Sequence, residues 1–600
     1  MESIETEKQN ALRGGQFLVE DAAYESMFIL EDFSEDDIMV IDTVKEFINK
    51  RVVPLSPKIE KLDIELTKTL LKEAGDLGIL GTSFPEEYGG YMQSFSVNLA
   101  VTEAFAPSRS FSLSYGAHVG IGMLPILYFG TEAQKQKYLP KLVAGDKFAA
   151  YCLTEPGSGS DALAAKSKAV LSQDGTHYVL NGQKMWITNA GFADVFVVFA
   201  KIDGEKFTGF IVERDWEGVS IAAEEDKLGI KGSSTRQVFF ENVKVPTENI
   251  LGEIGKGHRI AFNILNIGRI KLAAGVLGGS KVISTLAINY ANERKQFNVN
   301  IGSFGAIQHK LAEQATRIYA TESAMQRAGR AIDHEEAKLK AEGKSLGEAL
   351  LGAAEEYAIE CAILKVRGSE CLDYAADEGL QIYGGMGYSE EAPMAGAYRD
   401  ARINRIFEGT NEINRMLTVD MLLKRAMRGS VDLMGPAMAV QKELMGPPSF
   451  GSKTKPEGLF GEQLAYIKNM KKLFLAVAGA TVQELMQKLQ TEQEILMNMA
   501  DIMSEIYLSE STVLRTQKLI ATRGEEKMKG QIAMTKLYVN DAIERAAVHA
   551  KNVVASWATG DMKRMLLMAV KRLTKHDFEN TKELRREIAG MLLEANKYCF

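Results

Sequence analysis

The chain reads as a multidomain α+β protein, with one β-rich domain inserted between helical ones and a further helical domain appended. Three observations predict this. Apolar residues recur at helical spacing over residues 30–148 and again from Ile260 to about Arg428. Between them, from Ala149 to about Gly257, short β-branched and aromatic runs are split by turn residues. After Pro456 no proline occurs, and the remainder is rich in Leu, Met, Lys, Glu and Ala, the composition of a helical bundle. The domains are accordingly read as 1–148 (helical), 149–259 (β), 260–428 (helical), 429–456 (linker) and 457–600 (additional helical).

In the first domain, Ser34 followed three residues later by Asp37 resembles a helix start, although a strict capping box would use Glu or Gln. Ile41, Val44 and Ile48 then follow at helical spacing before Pro54. In the β domain, His177–Leu180 precedes the turn signal Asn181-Gly182, and Val195–Phe199, Phe207–Val212 and Gln237–Phe240 read as strands. The third domain carries alanine-rich helical stretches such as Ala349–Val366. The linker holds four of the chain's 13 prolines, namely Pro436, Pro447, Pro448 and Pro456.

Composition narrows the function classes. At roughly 150 residues per domain, 600 residues allow about four domains. A net charge of −8 and a pI near 5.7 leave no electrostatic footprint for nucleic acid. Four cysteines (Cys152, Cys361, Cys371, Cys599) form no CxxC, which suits a reducing compartment and argues against structural zinc. Seven scattered histidines without HExxH make a metal enzyme unexpected. The opening MESIETEKQN is acidic, and the longest apolar run, 473–480, is too short to span a bilayer; a cytoplasmic protein, or a mature form already trimmed, is expected.

Chemistry concentrates in three motifs. Residues 405–413, RIFEGTNEI, set Glu408 between Phe407 and Gly409. A carboxylate that takes a proton from carbon needs an apolar neighbour and open backbone beside it, though an ordinary turn explains the same residues. YCLTEPGSGSD opens the β domain, and its small residues at 157–160 allow close approach to backbone amides; a polar hairpin loop is the alternative. In NGQKMWITN, Trp186 and Thr188 would share a strand face and suit a flat heteroaromatic ligand, unless Trp186 is simply core.

Together with KLGIKGSSTRQVFFENVKVP, ERKQF and QIYGGMGY, these motifs resemble the acyl-CoA dehydrogenase family in order and spacing over about residues 30–430. The proline-free tail and AFNILNIGR (261–269) resemble its very-long-chain branch, which carries an extra helical domain. The resemblance implies an N-terminal helical domain, a middle β-barrel, a C-terminal four-helix bundle and FAD chemistry. Glu408 would take the pro-R α-proton of an acyl-CoA thioester, and the flavin N5 would accept the β-hydride, leaving a trans-2-enoyl-CoA. The thioester oxygen would be held by the backbone N–H of the glutamate and a ribityl hydroxyl. Some members place the base near Arg269 instead, but here 259–272 contains no acidic residue.

Carried over by motif, Tyr151, Leu153, Thr154, Trp186, Thr188, Thr410 and Glu412 would line the FAD, with Ser160 bordering both flavin and pantetheine. A neighbouring subunit would add Arg294, Phe297, Gln308, Gln381, Gly384 and Gly385, implying an obligate oligomer, most simply a dimer. Gly409, Asn266 and Arg269 would meet substrate, although many members have Asp where this chain has Asn266. Gly116 and Gly120 lie one turn apart on the helix that lines the acyl pocket in the family, which suggests medium-to-long chains, or else tight helix packing. Electrons would pass to electron-transfer flavoprotein in fatty acid β-oxidation; an acyl-CoA oxidase or a scaffold retaining the fold are the alternatives. Lys468, Lys471 and Lys472 before Leu473–Val477 suggest a weak peripheral membrane contact, or a solvated helix face over an ordinary core.

Overall fold

The computed structural model describes residues 12–446 and 457–600. The opening MESIETEKQN and three of the linker prolines (Pro447, Pro448, Pro456) lie outside the described residues. At the first long helix, α1 (Glu35–Phe47), Ser34 Oγ accepts from the Asp37 N–H at 3.1 Å and the Asp37 carboxylate accepts from the Ser34 N–H at 2.9 Å. Aspartate therefore closes a full capping box here. Ile41, Val44 and Ile48 are buried. The domain continues through α2 (Ile64–Asp76), α3 (Phe95–Ala104), α4 (Ser110–Gly116), a π-helical stretch (Ala117–Gly122), α5 (Leu124–Phe129) and α6 (Glu132–Val143).

The middle domain is an eight-stranded sheet: β1 (Ala149–Cys152), β2 (Lys168–Leu171), β3 (His177–Thr188), β4 (Val195–Ile202), β5 (Lys206–Glu213), β6 (Val219–Glu224), β7 (Thr235–Pro246) and β8 (Ile250–Leu251). The strand order is β6-β7-β3-β2-β4-β5-β8, with β1 parallel to β4. Asn181-Gly182, read from sequence as a turn, lies inside β3, which pairs with β7 on either side of a register shift. Gly182 (φ 158°) is required there, because a β-carbon would stand 2.2 Å from Ser167 Oγ.

The third domain is built on α7 (Gly257–Glu293), a small hairpin β9 (Lys295–Gln296) and β10 (Val299–Asn300), α8 (Gly305–Ala341), α9 (Leu346–Glu356), α10 (Ala358–Tyr383), α11 (Pro393–Arg402) and α12 (Asn411–Met427). Helices α7 and α10 run side by side in the same direction. Gly368 would meet Ala273, Gly379 would meet Ile283, and Tyr290 and Tyr383 stack with ring centres 4.0 Å apart. Among the described residues α7 is the one helix long and apolar enough to cross a membrane, although it contains no long unbroken apolar run, and 61% of its apolar window is buried inside the protein.

The stretch read as a linker contains a helix, α13 (Met434–Met445), tied to the tail by an ion pair from Lys472 to Glu443 at 2.6 Å. The tail follows as α14 (Gly461–Leu485), α15 (Gln493–Arg523), α16 (Lys529–Trp557), α17 (Gly560–Leu573) and α18 (Thr581–Ala595). The expected membrane-facing segment is internal. Leu473, Phe474 and Val477 are core, Lys471 is buried in ion pairs with Glu510 and Asp21, and Lys468 lies 4.0 Å from Asp21. Lys471 is thus committed to the protein's interior, while Lys468 stays largely exposed.

Candidate active site

Glu408 sits in the eight-residue connection (403–410) between α11 and α12, and two successive residues there adopt left-handed backbone: Glu408 at φ 57° and Gly409 at φ 80°. That conformation is costly for a glutamate and persists only where neighbours impose it. Thr410 caps α12, its hydroxyl accepting from the Ile413 N–H at 3.2 Å. Asn414 Nδ2 donates to the carbonyls of Glu408 (3.3 Å), Gly409 (2.8 Å) and Thr410 (3.0 Å). From α10, Lys365 Nζ donates to the Gly409 carbonyl at 2.6 Å and to Asn411 Oδ1 at 2.8 Å.

The turn aims the carboxylate at α7. A β-carbon on Gly268 would stand 2.7 Å from Glu408 Oε2, so glycine is what leaves room for it. Oε2 is sealed from solvent and has no hydrogen-bond partner among the described residues. Burial pushes the carboxyl up to about 7, against the opposing pull of Arg269 and Lys365. The Glu408 backbone N–H also finds no partner among the described residues. Arg269 is buried on α7, donates to Asn266 Oδ1 at 2.7 Å and leaves its Nε unsatisfied. Asn266 and Arg269 thus contact each other beside Glu408.

The β-domain motifs are locked to one another at the adjacent sheet. Lys184, inside NGQKMWITN, donates to Glu155 of YCLTEPGSGSD at 2.7 Å and to the Leu153 carbonyl at 3.2 Å, and the Met185 N–H donates to the Thr154 carbonyl at 3.0 Å. Trp186 lies at a second β3 bulge with φ 59°, so simple strand alternation fails there. Even so, Ile187 is buried while Trp186 is 52% exposed and Thr188 half-buried, which rules out a core tryptophan. Tyr151 Oη is buried without a partner among the described residues, and burial together with Glu408 raises its pKa. Ser160 is exposed, and side chains at Gly157 and Gly159 would meet nothing within 4 Å. Glu412 is exposed on the first turn of α12.

A second group of predicted residues stands elsewhere. Arg294, exposed, and Phe297, 88% exposed, lie at the far end of α7. At 1.5 Å per residue that end is roughly 37 Å from Arg269. Gln381, Gly384 and Gly385 are exposed at the matching end of α10, and Gln308 donates to the Gly302 carbonyl at 3.0 Å nearby. Sequence reasoning missed Lys365, Gly268, Asn414 and the Glu155–Lys184 pair. Only Gly268 and the Glu155–Lys184 pair carried a signal, since they fall inside motifs already singled out.

The donor set fits a flavin: an exposed indole, an orphaned tyrosine hydroxyl, small residues open to solvent and the capped start of a helix. Among the described residues no group of three His, Cys, Asp or Glu could hold a metal.

Comparison with known proteins agrees with this chemistry. Residues 34–146, 150–243 and 255–423 match the N-terminal, middle and C-terminal domains of acyl-CoA dehydrogenase, and 469–572 match a further acyl-CoA dehydrogenase C-terminal domain. A probable acyl-CoA dehydrogenase of Bacillus subtilis is 48% identical over 98% of both chains. The human mitochondrial very long-chain specific acyl-CoA dehydrogenase is 38% identical over 70% of this chain and 63% of its own length. The crystal structure of an acyl-CoA dehydrogenase complexed with FAD from Bacillus anthracis superposes with a TM-score of 0.96 at 47% identity, covering 98% of this chain and 100% of that one. Fold and site together define a flavin-dependent oxidoreductase. The chain belongs to the acyl-CoA dehydrogenase family, and its cofactor is FAD.

Proposed function

We propose that the enzyme dehydrogenates medium-to-long-chain fatty acyl-CoA at the α,β position, within β-oxidation, and delivers the electrons to electron-transfer flavoprotein. The observation that carries the reading is the sealed, unpartnered Oε2 of Glu408, poised at about 7 beside Gly268. A carboxylate so desolvated is a stronger base than one in water, while Arg269 and Lys365 keep an appreciable fraction ionised at neutral pH. Glu408 takes the α-proton and retains it on its carboxyl. The unpaired Glu408 N–H is available to the thioester oxygen as negative charge develops there. Bound FAD supplies the acceptor for the β-hydride. Tyr151, Leu153, Thr154, Ser160, Trp186, Thr188, Thr410 and Glu412 would hold the cofactor from this chain; Ser160, Gly409, Asn266 and Arg269 would border the substrate.

A longer acyl chain is supported by the groove on the helix carrying Gly116 and Gly120. Side chains there would meet nothing within 4 Å, so neither glycine serves tight helix packing. The similarity to a very long-chain enzyme points the same way. The exposed second residue group, so distant from Glu408, supports a homo-oligomer, most simply a dimer, in which Arg294, Phe297, Gln308, Gln381, Gly384 and Gly385 complete a neighbour's cofactor site.

Anaerobic bleaching of the flavin across an acyl-CoA length series tests cofactor, reaction and chain length together. Fastest reduction with long chains is expected. A maximum at butyryl- or hexanoyl-CoA would overturn the length assignment, and peroxide formation without an added acceptor would overturn the electron-transfer assignment.

A further inference from the structure

Lys365 is 0% exposed, and no carboxylate of the described residues lies within ion-pair distance of it. Burying an ammonium without a counter-ion is unfavourable unless something nearby rewards it. Two of its three N–H bonds go to the turn that bears Glu408 and the helix that follows it: one to the Gly409 carbonyl and one to Oδ1 of Asn411, the first residue of α12, itself held by Ser369 Oγ at 3.2 Å. We propose that Lys365 is a positioning residue for the reaction: its buried ammonium clamps the left-handed Glu408–Gly409 turn and adds its positive charge to that of Arg269 beside the Glu408 carboxylate.

Geometry gives the clamp two jaws. Asn414 grips the turn from α12 through three carbonyls, and Lys365 grips it from α10. Without the second grip, Glu408 could relax out of its left-handed conformation, which Gly409 would freely permit. The charged and titratable groups facing Glu408 are few: Arg269 from α7, Lys365 from α10 and Tyr151 from β1. Glu412 and Glu370 act on Lys365 more weakly than Glu408 does, and Arg269 opposes it. Arg269 is engaged with Asn266, which leaves Lys365 as the cation bound directly to the turn among the described residues.

The inference rests on Glu408 being the base, so both are tested on the holoenzyme in one experiment. Lys365→Met, Lys365→Gln and Glu408→Gln are compared with the unsubstituted enzyme by kcat and KM for one long-chain acyl-CoA across pH, by flavin content and by thermal midpoint. Lys365→Met is expected to lower kcat by about 100-fold with little change in KM. Removing the cation raises the carboxyl pKa, so the acidic limb of the kcat profile should move up by about one pH unit. Lys365→Gln keeps a donor for the Gly409 carbonyl without the charge; it should recover part of the rate while its limb stays displaced. It carries the same limb test if Lys365→Met does not fold. Reduced flavin content or thermal midpoint with an unmoved limb would make Lys365 a packing residue only and overturn the proposal. Normal turnover by Glu408→Gln would instead overturn the base assignment. An inactive Glu408→Gln beside Lys365 variants of normal rate and limb would remove Lys365 alone.

Discussion

Gly268 on α7 and Glu408 in the turn before α12 occupy adjoining space, with 2.7 Å between Oε2 and the position a β-carbon would take. Gly268→Ala would therefore push the carboxylate off its line. Kcat should fall by roughly 10- to 100-fold, since displacements near 1 Å cost that much. Alanine in a helix interior favours the helix by about 0.5–1 kcal/mol over glycine, so the variant should melt no lower than the parent. Slower turnover at undiminished thermal midpoint is the expected signature.

The raised Glu408 pKa sets the pH dependence. Only the carboxylate accepts a proton, so kcat/KM should fall as pH drops through about 7. Below that value the decline should approach about tenfold per unit. A profile flat from about pH 6 to pH 8 would contradict the assigned base.

The tail grips the helices that carry the site. Glu505 on α15, 1% exposed, accepts from Arg367 of α10 at 2.7 Å and from Arg545 of α16 at 2.9 and 2.8 Å, while Asp501 accepts from Arg415 of α12 at 2.9 Å. Burial alone would raise the Glu505 pKa, but the two arginines outweigh it and hold it at about 2. Its contribution to stability is thus complete above about pH 4.5 and fades as pH falls through about 2. Glu505→Ala deprives the part-buried Arg367 and Arg545 of their shared carboxylate and should cost about 1–3 kcal/mol at neutral pH, read by chemical denaturation.

Gly120→Leu should fill the open groove beside the π-helical stretch. The rate with long acyl-CoA should fall by at least about tenfold while butyryl-CoA is nearly unaffected, because a filled pocket excludes the added methylenes. Equal losses at every length would place the groove outside the acyl path.

The proposed division of the cofactor site between protomers predicts complementation. Arg294→Glu and Glu408→Gln should each be inactive alone. Mixed by refolding or co-expression, hybrid dimers would contain one doubly defective and one intact site, and about a quarter of normal activity should return at equal proportions. No recovery in demonstrated hybrids would assign Arg294 to its own chain's site.

The motifs were legible because each compresses a chemical requirement into neighbouring residues. RIFEGTNEI holds the base, its glycine and the helix cap together, and YCLTEPGSGSD and NGQKMWITN each occupy one continuous segment. Lys365 gave no such signal. It sits in an alanine-rich helical run where a lysine reads as a solvated position, and its burial arises from how α10 packs against α7 and α12. Asn181-Gly182 carries the strongest local turn signal, yet β7 pairs on both sides of it and turns the signal into a bulge. Met434–Met445, within the stretch read as a linker, form a helix because the tail offers them a surface to pack on, with Glu443 held by Lys472.

The sequence by itself determined the order of domains, the family and the flavin cofactor, because helical periodicity and contiguous motifs are local properties of the chain. The tertiary structure alone decided that Glu408 lies sealed against Gly268 with its pKa near 7, held by Lys365 and Asn414, and that Lys471 of the tail is buried against Glu510. Desolvation and charge compensation depend on which helices meet, and residues that are distant in the chain supply them.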